Sequence, residues 1–377
     1  MIYNLVAAIV WVVALPILLL LSFKSKYKKS IPARFFLKDN SKLKKSDVHF
    51  HACSFGEVRA LAPLFDKFKN IAITTTTQTG FNEAKRWDKE AKFLPYELFL
   101  PFWLGGSKVL VVFEAELWLN LVKYAKKNGT FIILLNARVS DHSYEKYLKF
   151  RFYYRKIFSY IDVVFAQTTK DKERLLELGA KNIIVNGNIK CYVDRSKFSQ
   201  KMELKSDKKI LVIASTHSGE ESIILDSIAT KRFKIIIAPR HPERFDEVDL
   251  ISKEYCKRLN LTYEKFSQNL ALKSDFILLD TLGKLDEFYQ VCDVVILGGS
   301  FIRGIGGHNP IEIARYNKPL ISGKYIHNQK ELFNSIDGAI FAEPSELRGL
   351  LEKELPKTKI KKEYDLNPVI ELIKEKI

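Results

Sequence analysis

Short apolar runs alternate with helical stretches along most of this chain, and this alternation constrains its fold more than any other feature. Runs such as Val109–Phe113 have the length and composition of buried parallel strands. In the stretch that begins near Glu57, the apolar residues Val58, Leu61 and Phe65 recur at helical spacing. Strands that alternate with helices predict an α/β fold with doubly wound parallel sheets. The predicted strands are Val48–Ala52, Ile71–Thr75, Val109–Phe113, Ile132–Leu135, Val163–Ala166 and Ile183–Asn186, then Ile210–Ala214, Ile235–Ala238, Phe276–Leu279, Val294–Leu297 and Leu320–Ser322.

A polar stretch at 194–208, rich in Lys and Ser, separates the two halves of this pattern. The length of 377 residues suits two domains better than one. We therefore expect two Rossmann-like domains, at residues 31–200 and 201–377, after an N-terminal segment at 1–30. Ligands of such sheets bind at the carboxyl ends of the strands, so a cleft between two such domains is the expected active site.

The N-terminal segment contains an uncharged and almost wholly apolar run, Leu5–Phe23, which is long enough to cross a bilayer as a helix. Basic residues such as Lys24 and Lys28 follow this run, and none precedes it. Because basic flanks stay in the cytoplasm, the pattern predicts a single-pass anchor with the rest of the chain in the cytoplasm. Two alternatives are a buried core helix and a helix that lies in the membrane interface.

The formal net charge of +17 implies an anionic partner, which could be nucleic acid, an anionic membrane or a phosphorylated substrate. The basic residues are spread over the chain without a basic–aromatic RNA-binding pattern, so nucleic acid is not the expected partner. The cysteines form no C-x-x-C pair, which indicates free thiols in a reducing compartment and no zinc site. They are Cys53, Cys191, Cys256 and Cys292.

Four charged side chains in the first half are candidates for chemistry. Glu57 follows a predicted strand, where it could accept a proton or merely complement a helix dipole. Glu114 and Glu116 end an apolar strand, where they need a hydrogen-bond donor, a cleft or an ion-pair partner. Lys190 could stabilise phosphate charge or be an ordinary solvated lysine.

In the second half, the most specific pattern is the glycine-rich segment at 304–312. Asn309 followed by Pro310 is typical of a helix N-cap and first helical residue, and Glu312 in the first turn could bind a ribose. A helix start of this kind can bind phosphate, although it could also be only a capped helix after a flexible loop. Arg240 is a further phosphate or base partner. The sequence lacks the P-loop, hydrolase-elbow and dinucleotide motifs, and its histidines lack metal-ligand spacing.

In their order along the chain, these motifs resemble the 3-deoxy-D-manno-octulosonic acid (Kdo) transferases of lipid A biosynthesis. The resemblance extends from the N-terminal anchor to about Leu332. It implies a GT-B fold, a membrane-bound acceptor and an inverting transfer that needs neither a metal ion nor another cofactor. The matching segments are HACSFGEVRA, TTTTQTGFNEAKR, FLPYEL, EAELWLNL, LNARVSDHS, NGNIK, ASTHSGEE, PRHPERF, DTLGKLDEFY, LGGS and GGHNPIE.

Carried over by position, the resemblance implies that Glu57 is the proton acceptor and that Glu114 and Lys190 stabilise the transition state. It also implies a set of residues that contact the CMP moiety of the donor. One departure affects this set: the family usually has Met-Gly-Glu where this chain has Leu-Gly-Lys, so a carboxylate has become an amine and only a backbone contact would survive. The implied CMP-binding residues are Pro239, Arg240, Leu282, Gly283, Lys284, Asn309, Pro310, Ile311 and Glu312.

The expected function is transfer of Kdo from CMP-Kdo to a lipid A precursor (lipid IVA) in lipopolysaccharide synthesis. The resemblance places the acceptor on domain 31–200, the donor on domain 201–377 and the protein on the anionic surface of the inner membrane. Two alternatives stay open: a membrane-tethered GT-B transferase with another nucleotide-sugar donor, and a non-catalytic sugar-nucleotide-binding protein.

Overall fold

The computed structural model describes residues 2–24, 27–87, 89–114, 117–194, 204, 206–269 and 271–377. The chain divides into two compact units, of which the first combines Met1–Tyr192 with Tyr364–Ile377 and the second is Val193–Glu363. The expected linker at 194–208 and the expected boundary at 200 fall largely on 195–203 and 205, outside the described residues.

The first unit is built on a seven-stranded parallel sheet. Its strands are β1 Ser46–His51, β2 Ile71–Thr75, β3 Glu90–Phe93, β4 Ser107–Phe113, β5 Phe131–Ala137, β6 Val163–Ala166 and β7 Ile183–Val185. Its helices up to the second unit are α1 Ile2–Ser22, α2 Ser30–Phe36, α3 Phe55–Phe65, α4 Gln78–Ala84, α5 Leu100–Trp103, α6 Leu119–Lys127, α7 Asp141–Lys149, α8 Arg151–Phe158 and α9 Thr169–Glu177, with 3-10 turns at Lys85–Trp87 and Ile189–Cys191.

The strand order is β3-β2-β1-β4-β5-β6-β7, so the chain reverses its direction of winding between β1 and β4. The central strands read as continuous apolar runs because helices cover both faces of the sheet. In β4, the side chains from Val109 to Phe113 are fully buried. The carboxyl ends of β1 and β4 flank the point of reversal, which is where ligands bind in sheets of this topology.

The second unit repeats this plan with a parallel sheet in the order β10-β11-β9-β8-β12-β13-β15 and a reversal between β8 and β12. Its strands are β8 Lys209–Thr216, β9 Phe233–Pro239, β10 Tyr263–Lys265, β11 Phe276–Leu278, β12 Val294–Leu297, β13 Leu320–Ser322 and β15 Ala339–Phe341, and β14 Ile336–Asp337 pairs separately with β16 Lys359–Ile360. Its helices are α10 Glu220–Ile228, α11 Phe245–Leu259, α12 Leu285–Val291, α13 Ile311–Ala314, α14 Lys330–Asn334 and α15 Leu347–Leu351, with 3-10 turns at Pro242–Arg244 and Pro344–Glu346.

The C-terminal helix α16, Asn367–Lys376, belongs to the first unit although it follows the second in sequence. We expected 201–377 to form one domain, so the last segment differs from that expectation. The apolar side chains of Val369 and Ile373 are fully buried. Lys108, the second residue of β4, donates a hydrogen bond from its Nζ to the Ile377 carbonyl at 2.7 Å. The apolar face of α16 thus packs against the first sheet. No local feature of the sequence indicates this packing.

Helix α1 is, among the described residues, the one helix long and apolar enough to cross a membrane. Most of its side chains are exposed, including Ile2 at 78% and Val13 at 71%. A buried core helix would hide these side chains, so that alternative does not fit the structure.

Candidate active site

Glu57 lies in the first turn of α3, directly after the turn that leaves β1. Its Oε2 accepts a hydrogen bond from the Cys53 backbone N–H at 2.6 Å, and its Oε1 accepts one from the Ser54 hydroxyl at 3.1 Å. The carboxylate therefore accepts a hydrogen bond from a backbone N–H group at the start of the helix, which is the structural role of a residue that complements the helix dipole. The same contacts hold a half-buried carboxylate at the carboxyl edge of the sheet, where a base is expected.

Glu114 and Lys190 form an ion pair, in which the Lys190 Nζ donates to the Glu114 Oε1 at 3.0 Å. The Lys190 side chain is 28% exposed and that of Glu114 is 25% exposed, so the pair is partly screened from water and still reachable. Glu114 follows β4 directly and has a φ of 51°, a left-handed conformation that non-glycine residues seldom adopt. Glu116, the second acidic candidate of this segment, lies outside the described residues.

A network of amide side chains, missed from the sequence, holds this ion pair. The Asn136 Nδ2 donates to the Glu114 Oε1 at 3.1 Å, and the Asn136 Oδ1 accepts from the Ile189 backbone N–H at 3.0 Å. Asn188 accepts from the Lys190 backbone N–H at 3.0 Å and donates to Gln167 at 3.1 Å. Asn136, which is 1% exposed, thus binds Glu114 directly and the backbone at the residue before Lys190. The only sequence signal for Asn136 was its position at the end of an apolar strand.

The three candidates of the first unit lie at one edge of its sheet. Strands β1 and β4 pair directly, with His51 beside Val112, so Glu57 and Glu114 follow the ends of adjacent parallel strands. Helix α3, which carries Glu57, also contacts the 3-10 turn that carries Lys190. The sequence prediction that these side chains share the carboxyl edge therefore agrees with the structure.

In the second unit, Pro239 ends β9 as a buried residue and Arg240 follows it with an exposed side chain. Three histidines surround this point: the ring of His217 stacks on His308 at 5.0 Å and meets His241 edge-on at 5.1 Å. Burial lowers the pKa of His308 to about 3, and the charge of Arg240 adds to the effect. His308 is therefore neutral near pH 7, and Arg240 adds a positive charge beside it.

The loop after β12 is held by a carboxylate that we did not single out from the sequence. Glu220, which is fully buried, accepts hydrogen bonds from four backbone N–H groups. The donors are His217 at 3.0 Å, Gly299 at 2.6 Å, Ser300 at 3.0 Å and Phe301 at 2.9 Å. A side chain at Gly299, whose φ is +75°, would approach the His308 ring to 2.6 Å. Glu220 thus ties the turn after β8 to the loop after β12, at the reversal point of the second sheet.

The segment at 309–312 caps α13 much as its sequence indicates. The Asn309 Oδ1 accepts a hydrogen bond from the Ile311 backbone N–H at 3.0 Å. The helix begins at Ile311 instead of Pro310, so the first helical residue is one position later than expected. Glu312 lies half-buried in the first turn, as predicted.

The loop at 282–284 leads into α12, whose residue Tyr289 lies near the other candidate segments. Burial raises the pKa of Tyr289, Glu312 raises it further and Arg240 opposes the shift, so both charges act on one phenol. Gly283 has a φ of +83°, and the Lys284 Nζ pairs with Glu287 at 2.7 Å on its own helix. The Lys284 ammonium is therefore held by α12, while the backbone of Gly283 takes a conformation that favours glycine.

The part of the chain that the structure describes contains no group of three or more His, Cys, Asp or Glu side chains arranged to hold a metal ion. No disulfide joins the cysteines among the described residues, of which Cys53 is partly exposed and the others are buried. Transfer without a metal ion stays a prediction from the family resemblance.

Comparison with known proteins gives relatives over most of the chain. The family model for 3-deoxy-D-manno-octulosonic-acid transferase (kdotransferase) matches residues 29–193. A 3-deoxy-D-manno-octulosonic acid transferase from Chlamydophila psittaci is 31% identical over 359 residues, which cover 88% of this chain and 82% of that protein. A bifunctional glycosyltransferase/methyltransferase from Fusobacterium nucleatum is 34% identical over 83% of this chain, but the chain spans only 52% of that protein.

Among solved structures, UDP-GlcNAc 2-epimerase from Neisseria meningitidis is similar with a TM-score of 0.51 and 12% identity, over 88% of this chain and 93% of that one. This likeness concerns the fold, and it confirms two parallel-sheet α/β domains that resemble GT-B glycosyltransferases. The relatives confirm the family resemblance of the motifs. The chain therefore belongs to the Kdo transferase family and is a glycosyltransferase.

Proposed function

We propose that this chain transfers Kdo from CMP-Kdo to a lipid A precursor (lipid IVA) during lipopolysaccharide synthesis, with inversion at the anomeric carbon. The observation that carries the proposal is the placement of Glu57 and of the Glu114–Lys190 pair at the ends of adjacent parallel strands. A base and a cation at one sheet edge are what transfer to a hydroxyl group needs.

In the proposed reaction, the Glu57 carboxylate takes the proton of the acceptor hydroxyl as its oxygen attacks the anomeric carbon. The new carbon–oxygen bond forms on the face opposite CMP, the bond to the CMP phosphate breaks, and the configuration inverts. The Ser54 hydroxyl that donates to the Glu57 Oε1 can rotate away, so the acceptor hydroxyl can take its place. The Cys53 N–H, which is fixed, would keep the carboxylate in position.

The cations would offset the negative charge that develops on the departing phosphate. Lys190 is held at 3.0 Å by Glu114, so its ammonium is oriented before the substrates bind. Arg240 presents an exposed guanidinium at the end of β9. We propose that Lys190 and Arg240 offset the phosphate charge and that Glu114 orients Lys190.

The second unit would bind the CMP moiety through Pro239, Arg240, the loop at 282–284 and the segment at 309–312. Support comes from Tyr289, because the charges of both Glu312 and Arg240 act on the pKa of its phenol, so each lies within electrostatic range of that one side chain. The Lys284 side chain pairs with Glu287, which supports a backbone contact of Gly283 in place of a side-chain contact at 284. No metal ion is assigned a role in this proposal.

We also propose that α1 attaches the protein to the cytoplasmic face of the inner membrane, where a lipid acceptor would be available. The length and apolar composition of α1 support attachment, and the basic residues after it favour a cytoplasmic location. The net charge of +17 favours an anionic membrane surface and a phosphorylated acceptor.

The test is product analysis by mass spectrometry after incubation with tetraacylated lipid A precursor and CMP-Kdo. One or more Kdo mass increments on the precursor are expected, and the anomeric configuration of the product can be read by NMR. Glu57→Gln is expected to abolish transfer while CMP still raises the melting temperature. Glu173→Gln, which makes the same change at an exposed position on α9, is the matched control and should transfer normally.

Two results would contradict the proposal. Transfer by Glu57→Gln at the parental rate would remove Glu57 as the base. A melting temperature that rises with UDP and not with CMP would indicate another nucleotide-sugar donor.

A further inference from the structure

Helix α1 is fastened to the first unit along its N-terminal half. The Asn4 Oδ1 accepts a hydrogen bond from the Asn120 Nδ2 at 2.9 Å, and the Ala7 carbonyl accepts one from the Tyr96 hydroxyl at 3.0 Å. The Trp11 Nε1 donates to the Phe35 carbonyl at 3.1 Å. Positions 4, 7 and 11 follow helical spacing, so these contacts define one face of α1 that is turned toward the protein.

Aromatic contacts extend the same face. The ring of Tyr3 stacks on Tyr153 of α8 at 5.9 Å, and Trp11 meets Phe99 edge-on at 5.9 Å. The opposite face is apolar and exposed over the whole length of the helix. Its exposed side chains include Ile2, Leu5, Val6, Ile9, Val10, Val12, Val13, Ile17, Leu19 and Leu20.

These contacts conflict with a helix that crosses the bilayer. With a rise of about 1.5 Å per residue, Asn4 lies roughly 27 Å from Ser22, which is nearly the full hydrocarbon thickness of about 30 Å. A crossing helix with its basic flank in the cytoplasm would carry Asn4 to the far side. Its partner Asn120 would then have to follow, together with α6, whose Lys127 is exposed.

Helix α8 makes the conflict sharper. Tyr153 packs on Tyr3, and the neighbouring residues Arg151, Arg155 and Lys156 are exposed cations. Cations of a folded domain do not enter the hydrocarbon of a bilayer without large cost. The contacts of α1 can persist only if the whole helix stays at the level of the first unit.

We propose that α1 lies in the plane of the cytoplasmic leaflet and forms, with exposed aromatic side chains near it, one surface that embeds in anionic lipid. Phe102 contacts Phe99, the partner of Trp11, and is 59% exposed. Phe152, next to Tyr153, is 75% exposed. The inference rests on the proposed membrane location and not on the proposed chemistry.

The composition of α1 supports this arrangement. An isolated interfacial helix needs a polar face toward water, and α1 has none. Here the protein covers the second face, so an apolar helix can lie in the interface. Exposed cations stand around this surface, including Lys24, Lys28 and Lys29 after α1 and Arg151 on α8, which fit anionic headgroups.

A protease-cleavable tag fused ahead of Met1 of the full chain locates the N-terminus. In an in-plane arrangement, protease cleaves the tag in inverted membrane vesicles and leaves it intact in spheroplasts. Cleavage in spheroplasts and protection in inverted vesicles would overturn the proposal. Cleavage in detergent shows that the site itself is competent, and the tag is polar enough to stay in water on either side.

A second measurement tests the contact itself in membranes. The pair Asn4→Cys and Asn120→Cys is expected to form a disulfide under mild oxidation, seen as a shift in electrophoretic mobility. The pair Val13→Cys and Asn120→Cys, with Val13 on the exposed face, is the matched control and should not form one. Absence of the first disulfide in a chain that still transfers Kdo would overturn the inference without touching the proposed function.

Discussion

Replacement of Glu220 by Gln is the perturbation whose effect the structure defines most sharply. Its carboxylate is fully buried and accepts from four backbone N–H groups, two at each oxygen. Gln keeps the shape of the side chain but exchanges one acceptor oxygen for an NH2 group. That group is a donor, and in this site it would face two N–H donors that cannot move away.

The size of the effect follows from those two donors. Each loses a charge-assisted hydrogen bond and stays buried, and a buried donor without a partner costs about 1–3 kcal/mol. Two such donors give a loss of roughly 2–6 kcal/mol in the free energy of unfolding of the second unit. Because Gly299 and Ser300 belong to the loop after β12, we also expect weaker CMP binding.

The assay is denaturant unfolding followed by CMP titration of the folded fraction. Glu254→Gln, which removes the same charge at an exposed position on α11, is the control and should change the free energy of unfolding by less than about 0.5 kcal/mol. A loss below about 1 kcal/mol in Glu220→Gln would refute the reasoning, because it would mean that the loop finds other acceptors at little cost.

Three further predictions concern the first unit. Asn136→Ala should lower kcat/KM about 10-fold to 100-fold by releasing Glu114 and Lys190, and its effect should be less than additive with Glu114→Ala in a double-mutant cycle. Burial lowers the pKa of His49 to about 3, so between pH 6.5 and 3 the unfolded chain takes up a proton that the folded chain does not. The free energy of unfolding should therefore fall by about 1.4 kcal/mol per pH unit as the pH is lowered from 6.5 to 5. This dependence on pH should be weaker in His49→Gln. Burial raises the pKa of Glu97 to about 7, so between pH 4.5 and 7 the folded chain holds a proton that the unfolded chain has lost. The stability that this proton provides is lost as the pH rises from 4.5 to 7. Glu97→Gln, which needs no proton, should therefore raise the free energy of unfolding at pH 8 by about 2–3 kcal/mol in thermal or denaturant unfolding.

The sequence predicts the core of both sheets well because central strands are buried on both sides and hence apolar throughout. The expected strand Val109–Phe113 lies within Ser107–Phe113, and Ile71–Thr75 agrees at both ends. Strand β3, Glu90–Phe93, was missed because it lies at the sheet edge, where half-exposed positions admit polar residues such as Lys92.

The helix α16 escaped prediction for a different reason. Its own pattern indicates a helix with one apolar face, but pattern alone does not say which sheet covers that face. The chain returns from the second unit to β4 of the first, and Tyr364 donates its backbone N–H to the Cys191 carbonyl at 3.3 Å. The return depends on tertiary packing, which the spacing of residues along the sequence does not indicate.

The candidate site shows the same division between local and distant information. Glu57, Glu114 and Asn309 were recognisable because each stands at a strand end or helix start, which is a local feature. The roles of Asn136 and Glu220 depend on partners far along the chain: Glu220 reaches Ser300, and Asn136 reaches Ile189. Such partners come together only through the order of the strands, so sequence alone predicted the edge of the sheet and not the network that supports it.

The two units place a carboxylate at equivalent points, in the first turn of the helix that follows the first strand, yet the surroundings give Glu57 and Glu220 different capacities. All four donors to Glu220 are backbone N–H groups in a fully buried site, so this carboxylate cannot exchange partners and can serve only to hold the loop. Glu57 is half-buried, and one of its donors is the Ser54 hydroxyl, which can rotate. A general base must release a hydrogen-bond donor before it can bind the substrate hydroxyl, and only Glu57 can do so. Glu57→Gln should therefore abolish turnover and leave the free energy of unfolding nearly unchanged. Glu220→Gln should lower the free energy of unfolding before it affects turnover.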